Sequence, residues 1–527
     1  MSGLKIGNSI FDIADGINPT LSSYHWRQSW YKIRFKGIVT IGHWVKTPMA
    51  KALKNADNWK RFAVWNEDGY YDLRTEDTGT VPVRLFLSTP LLTALEDLIY
   101  RQIINATSFP GTKAVMITPD VHYGYGVPVG CVLVTDRKNG AIAMGPVGYD
   151  IGCGMMSARS NVDAEEATPE KRMAFNREVM ARVAMGAGSK STKLGALSEA
   201  AFQKIIRGGA EYYCTKYGAT FDRSKAERQR IPVADSWKVP WGGKGRPERG
   251  LGQLGTLGGG NHFIELQKET NQGTLFVQVH TGSRGFGHGL ATNYFELARE
   301  ERPEEIVDID LGYFVPDSRH YDDYLNAVSA GGNYAIVNRL VIFEQVAAAF
   351  RQVFGAELEL LYEISHNLVQ HEIHPEYGDV WVHRKGATRA FPAKHPALSG
   401  TPWESTGHPV LIPGSNKSHS YVLYPLAGAV KSCFSVNHGA GRRLSRAQAA
   451  REFPQEKIDE EYRKAGILVN LDGHVPIDEA EHAYKSPEEV VNVVVAADLA
   501  RIEHRLWPLS SLNGTEEGGF RRKRSKK

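Results

Sequence analysis

Apolar residues along this chain come in two rhythms. From about Val115 onward, short apolar runs recur: AVMI (114–117), TLFVQV (274–279), DVWV (379–382), PVLI (409–412) and SYVLY (420–424). Runs this short, rich in Val, Ile and Tyr, predict strands. Each ends in a polar or glycine-rich turn carrying His, Asp, Asn or Arg. Helices are announced by caps instead. Thr168-Pro169-Glu170 predicts one helix, and Ser486-Pro487-Glu488-Glu489 predicts another through VVNVVVAADLARIEHRL. Asn333–Phe354 reads as a further long helix, and Ser445 with Gln448 forms a capping-box pattern for SRAQAAREF. Strands and helices alternate irregularly and no internal repeat is present. The pattern predicts an α+β fold, a large body of mixed β-sheets packed with helices.

The texture changes at both ends and once in the middle. Residues 1–85 are rich in Trp, Tyr and Lys and lack the later glycine motifs, which predicts an N-terminal extension or small subdomain. The body then runs over residues 86–514. Within it Phe221–Gly250 is charged and broken by Pro and Gly, and reads as a surface loop or insertion. Residues 515–527 read as a basic, disordered tail.

Composition changes this picture little. The chain has 527 residues, 42% hydrophobic and 23% charged, enough for a sizeable core. The net charge of +4 hints at an anionic partner, but the closing RRKRSKK carries six positive charges, and without them the remainder is −2. Any nucleic-acid site must therefore come from local clusters. No apolar run approaches the roughly 18 residues a bilayer span needs, and the N-terminus lacks a signal-peptide layout. Cys131, Cys153, Cys214 and Cys433 form no C-x-x-C pair, which excludes a zinc ribbon or a disulfide framework and predicts a reducing cytoplasm.

The candidate chemistry lies in the turns. In VGYDIGCGMM (147–156), Asp150 and Cys153 stand three apart among glycines, so a carboxylate and a thiolate can face one point; a buried cysteine beside a turn aspartate is the simpler reading of this segment alone. In LGGGNHFIEL (257–266), glycines precede Asn261 and His262 as they would where a phosphate approaches the backbone, and Glu265 interrupts an apolar run. His280 closes TLFVQVH, and His366 with Asn367 closes ELLYEISHN. One such histidine is more often a hydrogen-bonded structural group. Three at strand ends, with an Asp-Cys turn, predict a divalent-metal site suited to zinc, manganese or cobalt. In VHRKGATRAF (382–391), Arg384, Lys385 and Arg389 resemble a phosphate-binding loop. In VNHGAGRRLSR (436–446), Arg442 and Arg446 flank a predicted helix N-terminus, which favours an anion. His438 in that segment remains open among metal ligand, base, nucleophile and loop histidine.

The ordered set PDVHYGYGVPVG, VGYDIGCGM, GTLGGGNHFIE, VHTGSRGFGH, SHN, VHRKGATRAF, LIPGS and NHGAGR, from about residue 119 to 446, resembles the RtcB-type RNA-splicing ligase family. The resemblance implies an RtcB-like catalytic body and a GTP- and manganese-dependent ligase. Such an enzyme joins RNA 3′-phosphate or 2′,3′-cyclic phosphate ends to 5′-hydroxyl ends. It implies two Mn²⁺ ions held by Asp150, Cys153, His262, His280 and His366, with Cys153 bridging, and His438 as the guanylylated nucleophile beside Asp120. Asn261, Glu265, Asn367, Pro413, Gly414, Ser415, Asn416, Ser420, Gly439, Ala440, Gly441 and Arg442 match the guanine-nucleotide positions. Arg284, Arg442 and Arg446 match RNA-phosphate positions, and archease, an activating protein common in the family, is a candidate partner. Two departures bear on nucleotide preference. IPGSNKSHS puts Asn416, Lys417 and His419 where the family carries small or apolar residues, and Asn513 precedes Gly514 where the family chain commonly has lysine. The alternatives are a metal-dependent phosphoesterase for cyclic phosphate ends and a specialised paralogue with altered nucleotide preference.

Overall fold

The computed structural model describes residues 53–219 and 221–514. The tail read as disordered, and residues 1–52 of the N-terminal stretch, lie outside the described residues.

Two large sheets carry the body. The first has seven strands, in the order Ala63–Asn66, Tyr70–Leu73, Val83–Leu85, Thr112–His122, Val129–Asp136, Gly378–Lys385, Asn367–His374. Its first three strands lie in the stretch that sequence assigned to an N-terminal extension. Val83 pairs with Val115 and Leu85 with Ile117 in a parallel ladder, and both bury in one core with Leu133 and Val382. No boundary therefore falls at residue 85: this segment supplies the edge half of the sheet.

The second sheet has eight strands. Its main path runs Glu359–Ser365, Gly154–Asp163, Thr274–Thr281, Phe263–Glu269, Ala500–Asn513, Ser420–Pro425, Val410–Ile412, and Leu468–Val469 pairs in parallel with Ala500–Asn513. Helices Pro169–Arg182, Glu199–Tyr217 and Arg284–Glu301 gather round the 34-residue helix Tyr321–Phe354. That helix is apolar on nearly every side between Ala330 and Phe343, which is the pattern of a helix buried on all faces. A second core forms where it meets this sheet.

Two expectations are corrected. Ser486 does cap a helix, its Oγ accepting from the Glu489 N–H, but that helix stops at Ala496. Asp498 then takes a left-handed φ of 57°, and Ala500–Asn513 is a strand. Ala500, His504 and Leu506 point inward while Arg501, Glu503 and Arg505 point out, a period of two inside a stretch read as helix. The Phe221–Gly250 segment is irregular, with short 3-10 turns at Arg223–Lys225 and Pro247–Gly252, yet it is no mere surface loop. Ala226, Val233, Trp237 and Val239 are buried in the second core, and Asn333 holds both backbone groups of Ile231. All four cysteines are free, and among the described residues no helix is long and apolar enough to cross a membrane.

Candidate active site

The strand ends of the second sheet set the metal-ligand candidates side by side. Cys153 immediately precedes strand Gly154–Asp163, His262 precedes Phe263–Glu269, His280 lies near the end of Thr274–Thr281, and His366 follows Glu359–Ser365. Pairing of Met155 and Phe263 with His280, and of Gly154 with Ser365, puts these ends in one row. Cys153 Sγ lies 3.3 Å from His280 Nε2 and 3.5 Å from His262 Nε2. His280 Nε2 lies 3.4 Å from His366 Nε2, and His262 Nε2 lies 3.2 Å from Asp150 Oδ2. Two donor groups result, Cys153–His280–His366 and Asp150–Cys153–His262, and Cys153 belongs to both.

The hydrogen bonds fix which imidazole nitrogen faces inward. His262 Nδ1 meets the Leu257 carbonyl at 3.0 Å and His280 Nδ1 meets the Asn261 carbonyl at 2.9 Å. A carbonyl only accepts, so each Nδ1 carries a proton and each Nε2 is the nitrogen turned toward the row, that of His262 facing the Asp150 carboxylate. Burial pushes His280 down to about 3 and His366 well below the ordinary histidine value, with neighbouring histidines adding to both. Burial pushes the Cys153 thiol up, and Asp150 adds to this. Three imidazoles, one carboxylate and a sulfur common to both groups, which a cation would deprotonate, make a donor set that fits a pair of divalent ions.

Arg339 braces this row. Its guanidinium is wholly buried, donates to the carbonyls of Gly152 (2.7 Å) and Thr281 (2.9 Å) and to Ser365 Oγ (2.8 Å), and is ion-paired with Glu363. Those three residues adjoin Cys153, His280 and His366. One arginine therefore positions three ligand candidates.

His438 follows the short strand Ser435–Asn437, which pairs with Ala387–Arg389. Its Nδ1 lies 2.6 Å from Asp120 Oδ2, and its backbone N–H donates to the same oxygen at 3.1 Å. Thr118 Oγ1 donates to the other carboxylate oxygen at 2.6 Å. Asp120 is fully buried; burial alone would raise its pKa, but the His438 imidazole and the hydrogen bonds from His438 and Thr118 outweigh that and hold it below the usual range. Nδ1–H is thus committed to Asp120, and Nε2 is the nitrogen free to react. The His366 ring is 4.8 Å from that of His438, and the His122 ring stacks at 6.5 Å on it. Close approach needs glycine at two places: a Cβ on Gly441 would come within 1.9 Å of the Asp120 carbonyl, and one on Gly386 within 2.9 Å of the His438 ring.

A cavity of about 90 Å³ opens beside His438. Asn261, Glu265, the Pro413–Asn416 turn and the Gly439–Arg442 loop line it, as does Asn513. A larger cavity of about 600 Å³ adjoins it, sharing His122, Arg442 and Tyr484. Burial pushes the Glu265 carboxyl from 4.5 up to about 8, against the pull of Gln267 and Ser511. Gln267 Nε2 donates to Glu265 (2.8 Å) and to Ser420 Oγ (3.1 Å), and Ser420 Oγ accepts from the Gly414 N–H (3.0 Å). Ser420 is thus off the cavity wall and acts through that chain. Asn367 is also off the wall: it donates to the Asp150 carbonyl and accepts from the Gly386 N–H, tying the metal turn to the His438 side.

The cations expected to meet phosphate are mostly engaged within the protein. Arg384 is buried and ion-paired with Glu372, Lys385 donates to the carbonyls of Tyr125 and Val127, and Arg389 is buried near Glu227. VHRKGATRAF is therefore an internal framework rather than an open phosphate loop. Its cations are buried with the two strands that carry them, Gly378–Lys385 from Val380 onward and Ala387–Arg389. Arg442 and Arg446 do line the cavity, but both pair with Glu479, and Arg446 also pairs with Asp478. Arg284 lies by the metal-ligand row, donating to Thr256 Oγ1 and drawn toward Asp150. At the variant turn, Tyr462 donates to Asn416 Oδ1 and Lys417 pairs with Glu461 and Glu481 at 3.0 Å each.

A family model described as tRNA-splicing ligase RtcB matches residues 102–514, most of the chain. This chain belongs to the RtcB family. The tRNA-splicing ligase RtcB of Pyrobaculum aerophilum is 36% identical over 468 residues, covering 82% of this chain and 95% of that protein. The RtcB of Thermococcus kodakarensis is 35% identical over 464 residues, covering 82% and 95%. An RNA-splicing ligase RtcB of Mycobacterium tuberculosis is 36% identical over 439 residues, covering 78% of this chain and all of its own length.

Against this RtcB framework, sequence reasoning passed over several residues. Arg339 had a signal, a lone charge in the apolar run NYAIVNRLVIF. His122 stood within the PDVH motif but was given no role, and Gln267, Glu479 and Tyr484 had no signal, since nothing local marks a polar residue as lying beside a site.

Proposed function

We propose that this chain is a GTP-dependent RNA ligase that joins an RNA 3′-phosphate or 2′,3′-cyclic phosphate end to a 5′-hydroxyl end through a guanylylated His438. The observation that carries the reading is the His438–Asp120 pair facing a row of donors that share Cys153. Asp150, Cys153, His262, His280 and His366 would hold two divalent ions, read as Mn²⁺. When bound, such ions neutralise charge on phosphoryl oxygens. The remaining chemistry belongs to the protein. Asp120 holds the Nδ1 proton, so Nε2 attacks the α-phosphorus of GTP and pyrophosphate leaves. The resulting imidazole is positively charged, and the Asp120 carboxylate stabilises it. A 2′,3′-cyclic phosphate end is first hydrolysed by water to a 2′-hydroxyl and a 3′-phosphate; the guanylate then passes from His438 Nε2 to the RNA 3′-phosphate, leaving His438 neutral again, and the 5′-hydroxyl displaces GMP. Glu265 and Asn513 at the cavity wall supply polar groups for the base, and Arg284, Arg442 and Arg446 supply cations for RNA phosphates, the latter two once released from Glu479. Archease is the proposed activating partner, and RNA the substrate.

The test is covalent labelling. Incubated with Mn²⁺ and α-labelled GTP, the protein is expected to carry an acid-labile label that is absent in His438→Ala. No label on the wild-type protein defeats the proposal, and opening of cyclic phosphates without a label makes the protein a phosphoesterase. Labelling with ATP, CTP and UTP in parallel tests the effect of Asn416, Lys417 and Asn513 on nucleotide preference.

A further inference from the structure

The strand that carries Asp120 is interrupted where it does so. In Thr112–His122, Ile117 pairs with Cys131 and His122 with Val129, so residues 118–121 bulge opposite Gly130 alone. A bulge re-aims a side chain and takes its own backbone out of the ladder. This one packs closely: a Cβ on Gly130, at a φ of 87°, would come within 2.8 Å of Thr118 Oγ1 and 3.1 Å of Asp120 Oδ1. Each carbonyl of residues 119–121 has a side-chain donor. His122 Nδ1 donates to that of Asp120 at 3.1 Å, and the Lys485 ammonium donates to those of Pro119 (3.2 Å) and Val121.

Lys485 grips the other half of the His438–Asp120 pair as well. Its backbone N–H donates to the Gly441 carbonyl at 2.9 Å, and the N–H groups of Arg443 and Leu444 donate to the Ala483 carbonyl at 2.8 and 3.2 Å. Residues 441–444 therefore run beside 483–485, with Arg442 opposite Tyr484. One residue on, Ser486 caps helix Pro487–Ala496, whose Val490, Val491 and Val494 are buried. The clamp is thus anchored in the core. Among the described residues no carboxylate lies within ion-pair distance of the ammonium, and its charge is drawn first to Asp120 and then to Glu489. Enclosing an ammonium among carbonyls without a carboxylate in contact costs stability. The buried Asp120 carboxylate offsets that cost only while the bulge holds it near, so the two residues fix each other's place.

We infer that Lys485 is a positioning residue for His438, its ammonium holding the Asp120 bulge and its backbone N–H holding the loop after the nucleophile. This role rests on the proposed guanylylation, in which Lys485 acts by aim alone, since it does not line the His438 cavity. Asp120 Oδ2 accepts from both Nδ1–H and the backbone N–H of His438. A bulge that slips therefore turns the imidazole, and with it Nε2, away from the α-phosphorus. A misplacement of about 1 Å costs on the order of 10²-fold in rate. Lys485 does line the adjoining cavity of about 600 Å³, so a small amine can reach its place from solvent.

Lys485→Met in the full-length protein keeps the length of the side chain and removes its charge. At saturating GTP its labelling rate is expected to fall roughly 10²-fold, with metal content and the GTP concentration for half-maximal rate unchanged. In Lys485→Ala, added propylamine at fixed pH replaces the missing ammonium and is expected to restore much of the rate, whereas propanol is not. Should Lys485→Met fail to fold by circular dichroism, Lys485→Ala with and without propylamine carries the comparison. The downfield proton resonance of His438 Nδ1–H, identified by its loss in His438→Ala, is expected to shift or vanish in Lys485→Met whether or not the protein takes a label. A wild type without label defeats the ligase reading and leaves this resonance to decide the role of Lys485. That role is overturned by equal labelling rates, by an unshifted resonance, by a change confined to the half-maximal GTP concentration, or by a loss of rate that propylamine does not relieve.

Discussion

The row of metal-ligand candidates and the His438 cavity lie side by side but are built on different plans. The row is mounted on strand ends of one sheet, with the His262 and His280 imidazoles oriented by backbone carbonyls and three of the ends tied by one buried arginine. The cavity is walled mainly by turns and loops, with Glu265 and Asn513 contributed by strands, and its orienting partners come both from the same strand (Gln267) and from distant stretches of chain (Tyr462, Glu479). Sheet ends are stiff, so the row is preorganised; the cavity wall is held by side-chain ion pairs that a ligand can exchange. The difference teaches which half a sequence can specify by local motif and which half only a whole fold can.

The largest effect should come from the shared sulfur. Cys153→Ala removes a donor from both groups, so metal content measured by mass spectrometry should fall at both positions and labelling by more than roughly 10³-fold. Loss of a single ion would break the symmetry of the row. Asp120→Asn comes next: the carboxylate uses both oxygens as acceptors, an amide offers one, and labelling should fall roughly 10²–10⁴-fold with metal content unchanged. A loss of metal in that variant would mean the two regions are not separable. Arg339→Met leaves Glu363 buried without its partner, so stability should drop by about 3–5 kcal/mol in denaturant titration and metal affinity roughly 10–100-fold.

Glu265→Gln sharpens the cavity side. Burial raises its folded-state pKa from 4.5 to about 8, so between those values the folded protein holds a proton the unfolded chain releases. Stability must therefore fall as pH rises through that window, by on the order of a few kcal/mol. The Gln variant should lack this slope, and parallel pH–stability curves for both proteins would remove Glu265 from the account. Lys417→Met is the smallest change. Its pairs with Glu461 and Glu481 are partly exposed, so the cost should stay near or below about 1 kcal/mol.

Legibility followed the same divide. Asp150, Cys153, His262, His280 and His366 could be read because each sits in a glycine turn or at the end of an apolar run, and those local patterns persist in the fold. Arg384, Lys385 and Arg389 looked like a phosphate loop because sequence shows charge but not which way a strand faces. The Ala500–Asn513 strand was hidden because a helix cap at Ser486 and the helix-forming residues AADLAR continue smoothly into it; only the positive φ at Asp498 separates the two. Residues 63–85 lacked motifs, yet edge strands need only a few well-placed apolar side chains.

His366 has a further consequence. It is the single residue between strand Glu359–Ser365 of one sheet and strand Asn367–His374 of the other. A strand advances only about 3.3 Å per residue, so a one-residue crossing has no slack. An ion gripped by His366 is then a rivet through the seam of two sheets. Its capture would add a cross-link between the two sheets at that one residue.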